Sequence, residues 1–224
     1  MGTPILNFEE QDYTEDFIKS LYNEKYHENH WTTFRLRNLN AAKIFHEVLG
    51  IKSVVDFGCS IGTYLEYFLS VGCEIRGFEY CLDECKAQIE KVENLSEFIS
   101  FGDVSKEIKL DRKYEVSLST EVAEHIPEER SDFLVDNLCS SAENYIIFTA
   151  AKKDQGGTGH INCQYPEYWL EKFKQRGWDL NNSLIDEIKS DMIPSGQVGG
   201  NAYPNVWSFI YDNLMVFSKN DINQ

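Results

Sequence analysis

The stretch Val54–Phe68, VVDFGCSIGTYLEYF, decides the fold predicted for this chain. The apolar run Lys52–Phe57 predicts a short buried strand, and Thr63–Ser70 predicts a helix directly after it. Between them, Gly58 and Gly62 let the backbone turn tightly and come close to a ligand. The N–H groups at the start of the helix point into the same space and favour a carboxylate or phosphate there. The stretch therefore predicts a strand, a ligand-binding turn and a helix.

Strands continue to alternate with helices on the C-terminal side of this stretch. The other predicted strands are Glu74–Glu79, Phe98–Phe101, Tyr114–Ser119, Tyr145–Ala150, Ser183–Ile188 and Asn213–Ser218, and the other predicted helices are Cys81–Val92, Glu128–Cys139 and Pro166–Gln175. This alternation is typical of an α/β domain with a parallel sheet covered on both faces. The last strand follows a loop rich in Gly, Pro and Asn, residues 194–205, and we expect it to pair antiparallel at a sheet edge.

The first 50 residues are predicted to be helical. Thr14 can cap a helix that extends to about Lys25. A second helix, Thr33–Leu49, ends at Gly50. The residues it is expected to bury are Phe34, Leu36, Leu39, Ile44, Phe45 and Val48. We therefore expect an N-terminal helical cap over residues 1–50 and a larger domain over residues 51–224.

Composition narrows the classes of function. The chain has 21 Lys and Arg against 37 Asp and Glu, a net charge of −16, which disfavours binding to nucleic acid. It contains neither an apolar run long enough to span a membrane nor a secretory signal, which favours the cytoplasm. The six cysteines form no C-x-x-C pair and are expected to be free thiols. We expect a small-molecule partner, no nucleic acid and no membrane, and leave a homodimer open.

Acidic residues stand at the ends of the next two predicted strands. A carboxylate at Glu79, about 20 residues after the glycine turn, can accept two hydrogen bonds from a ribose diol. Asp103 can accept a bond from the exocyclic amine of an adenine. A nicotinamide-binding domain is the rival interpretation, but Ser60 stands where its fingerprint needs a glycine to admit a pyrophosphate. An adenosine with a methionine tail fits this turn better than a dinucleotide does. In the remaining alternative, the chain is an α/β domain whose glycines serve only turns.

These motifs resemble those of the class I S-adenosylmethionine-dependent methyltransferases, over roughly residues 50–218. The resemblance implies a Rossmann-like, doubly wound seven-stranded sheet in the order 3-2-1-4-5-7-6, with strand seven antiparallel. It also implies S-adenosylmethionine as the cofactor, with Cys59 departing from the usual small residue. The residues implied for that cofactor are Asp56, Gly58, Ser60 and Gly62 at the methionine part, Glu79 at the ribose and Asp103 at the adenine.

An E-x-x-E-H cluster follows the fourth predicted strand. The spacing of Glu121, Glu124 and His125 predicts that all three share one face of a helical turn at the carboxyl edge of the sheet. Two carboxylates beside an imidazole suit a divalent metal, and oxygen donors favour Mg²⁺ or Mn²⁺. His160, in a glycine-rich loop after strand five, is the candidate fourth ligand.

This arrangement resembles the metal sites of small-RNA 2′-O-methyltransferases and of ubiquinone-pathway O-methyltransferases. The resemblance implies Glu121, Glu124, His125 and His160 as metal ligands. In the alternative, the glutamate and histidine pair serves structure or acid–base catalysis without metal, with His160 or His125 taking the proton from the acceptor.

The stretch Gly159–Trp178 resembles a segment of methyltransferases encoded near glycan and capsule pathways. That likeness implies a small sugar- or phosphate-containing acceptor in polysaccharide or phosphoramidate modification. Tyr165, Tyr168 and Trp169 are either a sugar-stacking surface or core. Further candidates for the acceptor pocket are Trp31, Arg35, Arg37, Tyr203 and Trp207. The expected function is a metal-assisted O-methyltransferase; the alternatives are an RNA 2′-O-methyltransferase, a metal-independent small-molecule methyltransferase and a non-enzymatic binding domain.

Overall fold

The computed structural model describes residues 14–192 and 206–219. The helices within these ranges are α1 (Glu15–Leu21), α2 (Glu24–Thr33), α3 (Arg35–Leu49), α4 (Thr63–Ser70), α5 (Leu82–Ile89), α6 (Ser131–Ser141), α7 (Pro166–Lys174), α8 (Asn182–Met192) and α9 (Ser208–Asn213). The strands are β1 (Ser53–Phe57), β2 (Glu74–Glu79), β3 (Ile99–Phe101), β4 (Tyr114–Thr120), β5 (Ala142–Thr149), β6 (Trp178–Leu180) and β7 (Met215–Lys219).

The seven strands form one sheet in the order β3-β2-β1-β4-β5-β7-β6. The first five pair in parallel, whereas β7 pairs antiparallel with both β5 and β6. The predicted strand order and the antiparallel last strand are therefore confirmed. β1 and β4 are neighbouring strands, and the connections that follow them run toward opposite edges of the sheet. A crevice therefore opens at their carboxyl ends, where ligands bind in open α/β sheets.

Three local predictions were wrong. Residues 183–188, predicted as a strand, lie in helix α8, and the sixth strand is instead the three-residue β6. The predicted first helix is divided into α1 and α2 because the Asn23 side chain accepts a hydrogen bond from the Tyr26 N–H and starts a new helix. Leu36, predicted to be buried, is 70% exposed, since it lies nine residues and about half a turn from the buried Phe45.

Two hydrophobic clusters cover the faces of the sheet. One joins α3, α4 and α8, so that Ala41 and Phe45 pack in the same core as Val54 and Leu65. The other joins α6 and α7, with Trp169 at its centre. Helix α3 is therefore part of the core, whereas α1 and α2 lie over the crevice. None of the described helices combines the length and apolar character that crossing a bilayer requires.

Candidate active site

A cavity of about 740 Å³ lies at the carboxyl edge of β1, β2 and β4. Its lining comes from the loops after these strands, from the loop after β5, and from α1, α2 and α9. Five of the six residues predicted for the cofactor line it: Asp56, Gly58, Ser60, Glu79 and Asp103. The volume is in the range of pockets that hold small-molecule ligands.

The turn after β1 is held open by a glycine and tied to the end of β2. Gly58 has φ +83°, and a Cβ there would come within 2.6 Å of the Val122 side chain. Both carboxylate oxygens of Glu79 accept backbone hydrogen bonds, from the N–H of Ser60 (2.7 Å) and that of Cys81 (2.8 Å). Burial raises the pKa of Glu79, while these two bonds oppose the rise. The acid at the tip of the second strand therefore lies directly against the glycine turn.

Asp56 is the second buried acid of the cavity wall. It is 1% exposed, and neither of its carboxylate oxygens has a hydrogen-bond partner in the structure. Burial, followed by the nearby charge of Glu79, raises its pKa well above the ordinary value. An unpartnered buried carboxylate is costly, so this position suits a ligand that carries a cation.

Asp103 lies farther along the cavity wall and is already well supplied with donors. One oxygen accepts bonds from the Ser105 N–H and hydroxyl, and the other pairs with Lys106 Nζ at 2.8 Å. Burial alone would raise the pKa of Asp103, but the bonds from Lys106 and Ser105 lower it overall. Asp103 is therefore held in the ionised, hydrogen-bond-accepting form.

Gly62, the sixth predicted cofactor residue, does not line the cavity. It begins α4 with φ +73°, and a Cβ there would come within 2.8 Å of Ile99 and 3.0 Å of Leu95. Gly62 therefore serves a tight turn and close packing. The sequence did not predict a role for Gly77. A Cβ there would lie 2.9 Å from Cys59 Sγ, so the lack of a side chain at Gly77 makes room for Cys59, the residue that replaces the usual small one.

The same cavity is lined by a cluster of side chains that could hold a metal ion. Glu124, His125 and His160 each offer one ligand atom, and these atoms all lie within 4.8 Å of one another. The loop that carries His160 is held in place because the N–H groups of Ile161 and Asn162 bond to the Glu124 carbonyl. Glu124 is fully buried, and neither of its carboxylate oxygens has a hydrogen-bond partner. Burial and the adjacent Glu121 raise its pKa well above the ordinary value.

Backbone carbonyls fix the tautomer of both histidines. His160 Nδ1 lies 3.1 Å from the Gln155 carbonyl, and His125 Nδ1 lies 3.0 Å from the Gly159 carbonyl. Because a carbonyl has no proton to donate, each Nδ1 must carry one, which leaves the lone pair on Nε2. Burial lowers the pKa of His125 to about 4, with His160 adding to the effect, and burial also lowers the pKa of His160. Both rings are therefore neutral at pH 7.

Glu121 departs from the predicted arrangement. It precedes the single 3₁₀ turn Ala123–His125 and has φ +53°, so the three motif residues do not share one helical face. It lines the cavity but is not part of the group that lies within 4.8 Å. Its carboxylate accepts a bond from Asn213 Nδ2 (3.1 Å), which also bonds to the Gln155 side chain (3.1 Å). Asn213 and Gln155 were not predicted, since only the folded chain brings them to this motif.

The wall opposite the sheet comes from the cap helices. Tyr22, Tyr26, His27 and His30 all line the cavity. Tyr22 Oη lies 2.9 Å from His125 Nδ1 and donates to the Thr158 carbonyl (3.1 Å). From this region the sequence predicted Trp31, Arg35 and Arg37 as pocket residues, but neither tyrosine. The tyrosines were missed because a polar, weakly amphipathic helix does not show which of its residues meet a distant loop.

Other predicted pocket residues lie elsewhere. Among the described candidates, none of Trp31, Arg35, Arg37 and Trp207 lines the cavity. Arg35 pairs with Glu66 and lies over the Trp31 ring, and Arg37 lies 4.0 Å from the centre of the Trp207 ring. Tyr203 and residues 194–205 lie outside the described residues.

The aromatic segment 165–169 does not face the cavity either. Trp169 is 1% exposed within the core, Tyr168 packs beside it and Tyr165 is exposed. The core interpretation of Trp169 is therefore correct, and the sugar-stacking surface does not form at this site.

Comparison with solved structures identifies the fold. Magnesium protoporphyrin IX methyltransferase (ChlM) from Synechocystis PCC 6803 with bound SAM matches with a TM-score of 0.60 and 12% identity, covering 92% of this chain and 97% of that chain. Human N-acetylserotonin methyltransferase in complex with SAM matches with a TM-score of 0.55 and 12% identity, covering 91% of this chain and 59% of that one. The mitomycin 7-O-methyltransferase MmcR gives 0.55 and 12%, covering 85% and 54%.

No protein-family model and no curated protein sequence matches the chain. The structural likeness, together with the strand order, shows that the chain has the Rossmann-like fold of the class I S-adenosylmethionine-dependent methyltransferases.

Proposed function

We propose that the protein is an S-adenosylmethionine-dependent O-methyltransferase that uses a divalent cation, Mg²⁺ or Mn²⁺. The observation that carries the methyltransferase assignment is the Glu79 carboxylate bonded to the turn after β1, beside the unpartnered carboxylate of Asp56 in one cavity. Two acids and a turn of backbone amides suit the ribose and the charged methionine end of that cofactor.

The cofactor orientation follows from the three acids. Asp56 would accept from the ammonium group of the methionine part, which gives its buried oxygens the donor they lack. Glu79 would accept from the ribose hydroxyls and Asp103 from the adenine amine. The methyl group would then lie toward Glu121 and the histidines, at the end of the cavity opposite Asp103.

The residues at that end fit a divalent cation. Glu124 is a buried carboxylate without a donor, and a cation would relieve that cost. His125 and His160 are neutral, with Nδ1 held by carbonyls, the arrangement by which proteins orient metal-binding imidazoles. Carboxylate oxygens suit Mn²⁺ and Mg²⁺. Glu121, held by Asn213, would join as a further ligand from the edge of the group.

Methyl transfer is an in-line displacement at a sulfonium carbon, so the chain must mainly align an acceptor oxygen with the methyl group. A bound divalent cation would supply charge that lowers the pKa of an acceptor hydroxyl. The cap wall, with Tyr22 and Tyr26, would exclude water and hold the acceptor against the cofactor. Without metal, neutral His160 would accept the hydroxyl proton through Nε2, and Glu124 Oε1, 3.9 Å away, would stabilise the imidazolium.

The acceptor proposed is a small hydroxyl-bearing molecule. The likeness of residues 159–178 to glycan- and capsule-pathway methyltransferases supports a sugar- or phosphate-containing acceptor. The net charge of −16 disfavours RNA, because RNA binding depends on Lys and Arg contacts to phosphate. We propose the cytoplasm as its compartment.

Metal binding is tested separately from cofactor binding. Glu124→Gln and His160→Asn should abolish binding of Mn²⁺, measured by electron paramagnetic resonance, while calorimetric titration with S-adenosylmethionine still gives wild-type affinity. His46→Asn is the control, since His46 packs against Tyr67 away from the cavity. Gly157→Ala should also weaken Mn²⁺ binding, because its Cβ would lie 2.1 Å from His160 Nε2. Wild-type Mn²⁺ binding in Glu124→Gln, or turnover that survives exhaustive chelation, would leave only the metal-free acid–base mechanism.

A further inference from the structure

The charges around the cavity bear on the class of acceptor, which the proposed function leaves open between a sugar and a phosphate compound. Acidic residues of the lining include Asp56, Glu79, Glu121 and Glu124. Among the described residues, the lining has two Lys or Arg side chains, Lys106 and Arg130. Lys106 is paired with Asp103, at the end assigned to adenine, and Arg130 lies close enough to lower the pKa of Lys106.

The acceptor end has no cationic side chain in the described structure. Its wall is formed by Tyr22, Tyr26, His30, Phe34 and Phe209. Burial lowers the pKa of His30 to about 4, with His27 adding to the effect, so this ring is neutral at pH 7. A phosphate or carboxylate placed here would meet aromatic rings and acidic groups.

The sequence shows that the remaining segments add no cationic side chain. Residues 1–13, 193–205 and 220–224 contain no Lys, Arg or His. No side chain of those segments offers a guanidinium, ammonium or imidazolium group to an anion. The segments outside the described residues therefore cannot add a cationic side chain to the acceptor end.

A divalent cation would not reverse this balance. As its ligands, the carboxylates of Glu121 and Glu124 would offset the two positive charges of that cation. Recognition of phosphate ordinarily uses Arg or Lys as charge-assisted donors. An anionic acceptor would therefore give up its hydration without a cationic side chain in exchange.

We infer that the acceptor is an uncharged ring compound bearing hydroxyl groups, a neutral sugar or a phenol, and that phosphorylated and other anionic acceptors are excluded. This inference rests on the proposed function. The aromatic wall supplies apolar area for a ring, and Tyr26 packs against His30 with ring centres 4.4 Å apart and ring planes tilted by 32°. The neighbouring aromatic residue Phe34 extends the same surface.

The test uses the full chain with Mn²⁺ and S-adenosylmethionine labelled in its methyl group. A small-molecule extract of the cells that encode the chain is divided by anion exchange into an unbound, uncharged fraction and a salt-eluted, anionic fraction. We expect label in the uncharged fraction. A reversed-phase column then separates the two sources, because it retains labelled phenols and lets labelled sugars pass.

Label confined to the anionic fraction, and lost when that fraction is first treated with a phosphatase, would overturn the inference and leave the methyltransferase proposal standing. Label that appears in the anionic fraction only after phosphatase treatment would support the inference. No label in either fraction would contradict the proposed function itself, and the inference with it. As a pure-compound check, phenyl phosphate should not compete with a labelled acceptor, whereas catechol or methyl glucoside should.

Discussion

Glu79 joins two parts of the candidate site at the scale of a single side chain. Its oxygens accept the N–H bonds of Ser60 and Cys81, so one carboxylate fixes the turn after β1 and the turn after β2. The same oxygens retain lone pairs that can receive a ribose diol. Removal of the charge should therefore affect ligand binding more than a typical surface change would.

Glu79→Gln should weaken binding of S-adenosylmethionine. Glutamine has the shape of glutamate but lacks the negative charge that strengthens the hydrogen bonds it accepts. Hydrogen bonds to a charged group contribute about 1.5–3 kcal/mol, so we expect an increase in Kd of roughly 10- to 150-fold. Calorimetric titration measures it. The matched control is Glu74→Gln at the exposed start of β2, where the partner is Arg112. Equal affinities for the two variants would show that Glu79 does not contact the ligand.

Gly58 shows the cost of placing a side chain in the turn. Gly58→Ala should lower the free energy of unfolding, because strained backbone costs about 1–3 kcal/mol and an overpacked contact about 1–3 kcal/mol more. Gly72→Ala isolates the first effect, since Gly72 has φ +81° with nothing within 4 Å of its added Cβ. Denaturant unfolding compares them. If the two variants lost the same free energy of unfolding, the contact with Val122 would contribute nothing to the effect of Gly58→Ala.

The sequence predicts which residues form much of the site, because they follow the ends of strands. It does not predict what each of them does there. The sequence located Asp56, Glu79 and Asp103 because parallel strands bring their carboxyl ends to one edge. It could not show that Gly62 packs against Leu95, since that contact joins distant segments. Nor could it show the left-handed backbone of Glu121, which spacing alone does not reveal.

At the scale of elements, α2 carries two neutral histidines into the cavity wall, the buried His27 and the half-buried His30. Burial lowers the pKa of His27 to about 4 and, with His27 adding to the effect, that of His30 to about 4, whereas both have ordinary values of 6.5. Between pH 6.5 and 4 the unfolded chain therefore binds more protons at these positions than the folded chain does. Stability is lost as the pH falls through this window.

His27→Gln combined with His30→Gln should flatten that pH dependence. Each histidine contributes a slope of up to about 1.4 kcal/mol per pH unit between its two pKa values. Denaturant unfolding at several pH values from 7 to 4.5 measures the slope for the wild type and for the double variant. His46→Gln, on α3 and outside the cavity lining, is the matched substitution control. A double variant with the wild-type slope would contradict the neutral, buried state of these rings.

Helix α8 shows why some elements were predicted wrongly. The short window SLIDEI, residues 183–188, has three apolar residues without strict alternation, and the buried residues Ile185, Ile188 and Met192 follow helical spacing over a longer stretch. Six residues are too few to distinguish the alternation of a strand from the period of about 3.6 residues of a helix. The three-residue β6 is shorter still and joins the sheet through its pairing with β7, a tertiary contact.

At the scale of the whole molecule, the sequence predicted the sheet order and the antiparallel last strand through the family resemblance, and the structure confirms both. What it could not predict is how the cap meets the sheet. Tyr22 joins α1 to His125 and to the loop after β5, and Asn213 joins α9 to Glu121. These contacts link segments more than 90 residues apart, so no local pattern encodes them.

The central claim is that the cavity binds a sulfonium nucleoside. Its most direct test is calorimetric titration of the wild-type protein with S-adenosylmethionine, S-adenosylhomocysteine and the dinucleotide NAD⁺. We expect one molecule of either adenosyl compound bound per chain, and no binding of NAD⁺, because Ser60 stands where a pyrophosphate-binding turn needs glycine. Binding of NAD⁺ instead, or no heat with the adenosyl compounds, would contradict it.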